Sequence, residues 1–78
     1  MNPVRILSSP VTSTLLARVS YDASQLVLDL EFCDGALYRY LQVPPTVHDE
    51  LLAADSKGTY FNRHIRNCFT CQRLTPAR

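Results

Sequence analysis

The strongest structural constraint in this sequence is the alternating pattern of the segment 25–32, QLVLDLEF, in which Val27, Asp29 and Glu31 fall on one face and a row of apolar residues falls on the other. A shift in register of one residue would bury Asp29 and Glu31, so the orientation of this segment is firmly set. The alternation predicts an antiparallel strand with one solvent-facing side. The residues expected on its buried side are Leu26, Leu28, Leu30 and Phe32.

An Asp34-Gly35 pair follows this strand and separates it from a second alternating segment, 36–42, ALYRYLQ. Asp-Gly between two such segments favours a β-hairpin with a type I′ turn, which needs positive φ at both central residues. In the second strand of the hairpin, Tyr38 and Tyr40 are predicted to share one face. The two segments therefore form the centre of the predicted sheet.

The part of the chain before this hairpin also alternates. Residues 13–21, STLLARVSY, predict a strand with one face formed by Leu15, Ala17, Val19 and Tyr21. In residues 1–12, Val4, Ile6 and Leu7 are compatible with a short edge strand, which Pro10 would confine to the sheet edge.

Two short helices are predicted after the sheet. Val43-Pro44-Pro45 ends the strand pattern, and proline is accepted in a first helical turn, so a helix is expected from about there to Asp55. Asp49 and Glu50 lie early in it, where the helix dipole favours acids. Its expected buried stripe is Val47, Leu51 and Ala54, with Leu52 beside it.

The second helix is expected from a cap at Ser56 to about Asn67, and residues 68–74, CFTCQRL, return to a strand-like alternation. The predicted fold class is therefore α+β: an antiparallel β-meander, two short helices packed on one face, and a C-terminal edge strand. We expect one domain over residues 1–78, with 1–7 and 75–78 frayed.

Charge is unevenly distributed along the chain. Residues 1–56 carry three arginines and seven acids, a net charge of −4, whereas residues 57–78 carry five cations and no acid. This asymmetry indicates either a basic face for an acidic partner or a surface neutralised within the same domain. No apolar segment approaches the roughly 18 residues of a membrane span. A cytoplasmic protein without a membrane partner is therefore expected.

Two blocks of residues occur in order along the chain: Tyr38-x-Tyr40 with Val43-Pro44, and Ser56-x-Gly58-x-Tyr60-Phe61-Asn62 with Ile65-Arg66. They resemble the KTSC domain, a small module known from the C-terminal extension of some lysyl-tRNA synthetases and from short free-standing bacterial and phage proteins. The resemblance covers residues 8–70. It implies no established enzymatic activity and, from the synthetase fusion, a role related to nucleic acid or tRNA. The positions matching the family's polar block are Ser56, Gly58, Asn62 and Arg66.

The start of the second helix is a candidate anion site, because backbone N–H groups there point outward beside Lys57. The alternative is an ordinary capped helix. Downstream, cations mixed with aromatic rings resemble surfaces that bind single-stranded nucleic acid, although the same rings are needed for a small core. The candidate site residues are Ser56, Lys57, Gly58, Asn62, Arg63, Arg66 and Arg73.

The three cysteines are expected to be reduced and to serve in packing. Cys68 and Cys71, with His64 and Cys33, could form a Cys₃His zinc site, but one CxxC supplies only two ligands. We therefore expect no metal and no cofactor. A pair of Ser56 and His64 lacks a third orienting group, so no catalytic residue is predicted.

The sequence thus predicts a small non-enzymatic module that contacts nucleic acid, RNA or tRNA, through its basic C-terminal region. The alternative is a module for protein interaction or self-association, in which a strand edge or an apolar face pairs with another chain or a second copy.

Overall fold

The computed structural model describes residues 6–10 and 13–75. These residues form five strands and two helices: β1 (Ile6–Pro10), β2 (Leu16–Asp22), β3 (Val27–Phe32), β4 (Leu37–Tyr40), α1 (Pro45–Ala53), α2 (Lys57–His64) and β5 (Cys71–Arg73). The strands lie side by side in chain order, each antiparallel to the next. The predicted α+β class is confirmed.

Both edges of the sheet come from the ends of the chain. β1 pairs with β2 along its whole length, from Ile6 opposite Asp22 to Pro10 opposite Arg18. Ile6 and Leu7 therefore lie in the sheet, although fraying was expected for residues 1–7. Val4, which was included in the predicted edge strand, is outside the described residues. At the other edge, β5 pairs with β4 as predicted, but it is shorter than the segment 68–74.

The hairpin between β3 and β4 forms, but the predicted turn type is wrong. Of the two residues expected at the centre of the turn, Gly35 has positive φ, at 93°, and Asp34 does not. The Gly35 N–H donates to the carbonyl of Phe32 at 2.9 Å, and the Phe32 N–H donates to Ala36 at 2.8 Å. These bonds define a three-residue loop, in which a type I turn is followed by a left-handed glycine.

The predicted face of β2 is wrong at its first residues. The pairing of β2 with β3 is irregular between Leu16 and Arg18, where an extra residue interrupts the register. A bulge of this kind reverses the alternation. Leu16 is therefore fully buried with Val19 and Tyr21, whereas Leu15 and Ala17 are half-buried.

At the start of β3, Leu26 does not join the buried row. Its φ is 58°, so it belongs to the turn before the strand, and its side chain is exposed. Its carbonyl accepts a hydrogen bond from Val43 N–H at 2.8 Å. The position therefore anchors the segment after β4 and adds nothing to the core.

The core lies between one face of the sheet and the two helices. Its sheet side includes Leu28, Leu30 and Tyr40, and Leu30 and Leu28 stand opposite Tyr38 and Tyr40 in the register. The tyrosines thus share one face, as predicted. The other fully or nearly fully buried members are Leu16, Val19, Tyr21, Val43, Leu51, Phe61 and Ile65.

Helix α1 begins at Pro45, close to the prediction, but Asp49 and Glu50 lie beyond its first turn. His48 is buried in the stripe beside Leu51 and stacks on Tyr21 with ring centroids 4.9 Å apart. Its Nδ1 lies 3.1 Å from Asp49 Oδ1. A polar residue therefore occupies a place that the apolar pattern did not predict. No helix in residues 6–10 and 13–75 is long and apolar enough to cross a membrane.

Candidate functional site

A groove of about 580 Å³ opens between the end of α2 and the β4–β5 edge of the sheet. It combines rings, cations and side-chain amides on one surface. Its lining includes Phe32, Tyr38, Tyr40, Phe61, Phe69, Asn62, Asn67, Arg66 and Arg73. It is the candidate binding site, and we call it the arginine groove.

Four of these rings form a continuous floor. Phe32 contacts Tyr38 and Phe61 edge to face, with ring centroids 5.6 and 5.3 Å apart, and Phe61 contacts Tyr40 in the same way at 6.0 Å. Edge-to-face pairs at these distances are favourable because the positive ring edge meets a negative ring face. Phe61 and Tyr40 are 6% and 5% exposed, so the floor is also part of the core.

Two arginines stand at the groove. Arg73 lies over the Tyr38 ring, with its guanidinium carbon 5.4 Å from the centroid, and its Nη1 donates to the Tyr38 hydroxyl at 3.0 Å. Its Nε donates to the Thr75 carbonyl at 3.2 Å. The exposed Arg66 side chain makes no hydrogen bond or ion pair within the described part of the chain. One cation is thus held in place, and the other is available.

The Tyr40 hydroxyl lies at the inner side of the arginine groove. Burial raises the pKa of Tyr40, the Cys71 thiol contributes in the same direction, and the Arg66 cation opposes both. The hydroxyl is therefore neutral at physiological pH. The acid in the groove lining, Asp34, accepts a hydrogen bond from the Ala36 N–H at 2.9 Å.

The structure brings only part of the predicted site together. Asn62, Arg66 and Arg73 line the arginine groove, but Arg63 does not, although it is exposed on the same helix. The other three predicted residues, Ser56, Lys57 and Gly58, lie at the opposite end of α2.

At that end of α2, local contacts occupy the groups that were candidates for anion binding. Ser56 Oγ accepts from Thr59 N–H at 3.2 Å, which confirms the predicted cap. Lys57 Nζ donates to the Ala54 carbonyl at 2.9 Å, at the end of α1. A Cβ on Gly58 would lie 3.6 Å from Leu15 Cβ, so the close neighbour of this glycine is the Leu15 side chain.

The three cysteines are exposed and free, so their expected role as buried packing residues is wrong. Within residues 6–10 and 13–75, no three His, Cys, Asp or Glu side chains cluster closely enough to hold a metal ion. The zinc alternative built on Cys33, His64, Cys68 and Cys71 is therefore not formed by these side chains. The two residues considered as a catalytic pair have different contacts: Ser56 accepts a hydrogen bond from Thr59, and the His64 ring contacts the Tyr60 ring.

Sequence reasoning missed the groove floor and Asn67. The common face of Tyr38 and Tyr40 was the available signal, but it did not show that α2 would place Phe61 against Tyr40 and Phe32. Asn67 has a φ of 62°, a left-handed conformation that asparagine tolerates better than most residues. Its contribution depends on how the chain turns from α2 toward β5.

Fold and groove together define a small α+β domain in which two helices cover one face of an antiparallel meander. Sequence comparison shows which family of such domains this is. The family model of the KTSC domain matches residues 12–69. The chain belongs to the KTSC domain family.

Relatives and a solved structure agree with this assignment. A protein of Tsukamurella paurometabola is 42% identical over 60 residues, which span 77% of this chain and 90% of that protein. The lysine–tRNA ligase of Nostoc punctiforme is 36% identical over 62 residues, which are 80% of this chain and 11% of the ligase. The crystal structure of a KTSC domain protein from Yersinia pestis matches with a TM-score of 0.86 at 30% identity, covering 91% of this chain and 100% of that one.

Proposed function

We propose that this domain is a non-enzymatic module that binds single-stranded RNA in the arginine groove. The observation that supports this most is the convergence of Arg66 and Arg73 on a surface formed largely by aromatic rings. Proteins that bind single strands combine cations for the phosphates with rings for the bases. An apolar ligand would leave the available Arg66 cation without a partner.

The relatives favour RNA over DNA as the ligand. A lysine–tRNA ligase contains a segment similar to 80% of this chain, and a tRNA is among the molecules named in that enzyme's activity. The similarity to a segment of a tRNA ligase therefore supports RNA as the ligand of this chain. A cytoplasmic location agrees with three free, exposed thiols, because that compartment keeps thiols reduced.

Salt dependence of binding tests this proposal. Fluorescence anisotropy with a labelled single-stranded oligoribonucleotide, measured over a range of salt concentrations, gives the number of phosphate contacts. For single strands the slope of log K against log salt is about −0.7 per contact. We expect Arg66→Ala and Arg73→Ala each to weaken binding and to make this slope shallower by about 0.7.

Arg63→Ala is the matched control, because it removes the same charge from an exposed position on α2 that does not line the arginine groove. It should leave the slope nearly unchanged. Equal losses for Arg63→Ala and Arg66→Ala would show unspecific attraction to the basic end of the chain. If binding by the unmodified protein did not depend on salt concentration, the proposal would be ruled out.

A second candidate function is self-association through β5. All three residues of this edge strand are exposed, and its outer side is not covered by another described strand. Unpaired strand edges are templates for a further strand. Sedimentation equilibrium without RNA tests this second function: a tight dimer would favour β5 pairing, and a monomer at all concentrations would exclude it.

A further inference from the structure

The arginine groove offers fewer ring faces than its composition suggests. Tyr40 and Phe61 are almost fully buried, and Phe32 is held edge to face between two other rings. The Tyr38 ring is half-buried and carries the Arg73 guanidinium above it. Each of these four rings is therefore already in contact with another ring or with Arg73.

Phe69 differs from the four floor rings. Its side chain lines the groove and packs against the core while staying half-buried, and it makes no ring–ring or cation–ring contact with the described residues. The backbone on both sides of it is fixed: Cys68 N–H donates to Ile65 O at 3.0 Å, and Thr70 O accepts from Leu41 N–H at 2.9 Å. These bonds fix the position of Phe69 on the connection between α2 and β5.

From this inventory we propose that the arginine groove holds a single unpaired nucleotide, with its base stacked on Phe69 and its flanking phosphates contacting Arg66 and Arg73. This inference rests on the proposed RNA binding and narrows it. One available ring provides one stacking position. Grooves that bind longer single strands use several rings along a site of about 4–16 nucleotides.

The size of the arginine groove agrees with this limit. Its volume of about 580 Å³ lies within the roughly 300–1,000 Å³ typical of small-molecule sites. Asn62 and Asn67 line it as well, and their exposed amides offer both donors and acceptors to a base edge. A base that is paired in a duplex has its edge occupied and its faces stacked, so it would not enter.

A length series of 5′-phosphorylated oligouridines tests the inference by isothermal titration calorimetry at low salt, because the first nucleotide of the phosphorylated dinucleotide already has a phosphate on each side. We expect the dissociation constant to fall from the dinucleotide to the octanucleotide by no more than about sevenfold, the number of dinucleotide registers in the longer chain. A much larger gain, continuing with each added nucleotide, would overturn the one-nucleotide site while leaving RNA binding intact. No binding at any length would remove both proposals.

Substitutions of Phe69 test the stacking contact itself. Phe69→Leu keeps an apolar side chain but removes the ring. It should weaken binding of the dinucleotide by about 5- to 150-fold. Phe69→Tyr keeps the ring and should bind within about threefold of the unmodified protein. Equal affinity of the Leu and Tyr variants would overturn the stacking role.

Tyr60→Leu serves as the control, because it removes an aromatic ring from α2 outside the arginine groove. Its affinity for the dinucleotide should not change. Thermal unfolding of each variant identifies losses of affinity that come from misfolding. If Phe69→Leu does not fold, Phe69→Tyr and the length series still decide the inference.

Discussion

Replacing Tyr21 with phenylalanine removes one oxygen atom from the joint between the sheet and α1. The Tyr21 hydroxyl donates to the carbonyl of Val43, the residue that leads from β4 into the helix. Tyr21 and Val43 are 1% and 0% exposed, so water cannot replace the lost donor. The ring itself keeps its stacking contact with His48.

The expected loss of stability comes from the Val43 carbonyl, which is left without its hydrogen-bond donor. A buried polar group without a hydrogen bond costs about 1–3 kcal/mol, and the complete burial here places Tyr21→Phe near 2 kcal/mol. For a domain of this size, each kcal/mol lowers the melting temperature by about 4–8 °C, so a decrease of roughly 8–16 °C is expected.

Urea denaturation followed by circular dichroism measures this cost. The midpoint should fall with little change in the m-value, because the surface exposed on unfolding stays the same. Tyr60→Phe is the matched control: its hydroxyl donates to Glu50 at 2.7 Å, but that carboxylate is exposed and can be rehydrated. A loss of less than about 0.5 kcal/mol for Tyr21→Phe, or equal losses for both variants, would refute the reasoning.

Three further predictions concern single positions. Ser56→Ala should destabilise the domain by about 0.5–2 kcal/mol in urea denaturation, whereas Ser56→Asp, which can still cap α2, should not. Gly35→Ala places a side chain at a φ of 93° and should lower the melting temperature, since left-handed backbone costs about 1–2 kcal/mol for other residues. Burial, followed by the Glu50 hydrogen bond, raises the pKa of Tyr60 to about 12, above the value of 10.0 in an unfolded chain. In that interval only the unfolded chain loses the proton, so stability should fall between about pH 10 and 12, and less steeply in Tyr60→Phe.

Several features of the fold could be predicted because they depend on neighbouring residues. The alternation in β3 and β4 and the Ser56 cap need only short-range rules of geometry, and the structure confirms them. The β2 bulge and the Leu26 turn were not predictable in this way. Both depend on how strands meet their partners, which a local pattern does not contain.

The candidate site divides along the same line. The basic character of the C-terminal third is a property of the sequence. Where each cation lies is not: Lys57 contacts the end of α1, while Arg66 and Arg73 line the groove. The contacts of the rings are likewise set by the tertiary structure. Five aromatic residues line the groove, and only Phe69 lacks a ring or cation contact among the described residues.

The sequence by itself therefore determined the order of strands and helices, the face of the central hairpin that is buried, and the sign of the charge near the C-terminus. These follow from periodicity and composition along the chain. Only the tertiary structure decided which cations meet which rings. Arg66 and Tyr38 are far apart in sequence, and packing of α2 and β5 against β4 brings them to one groove.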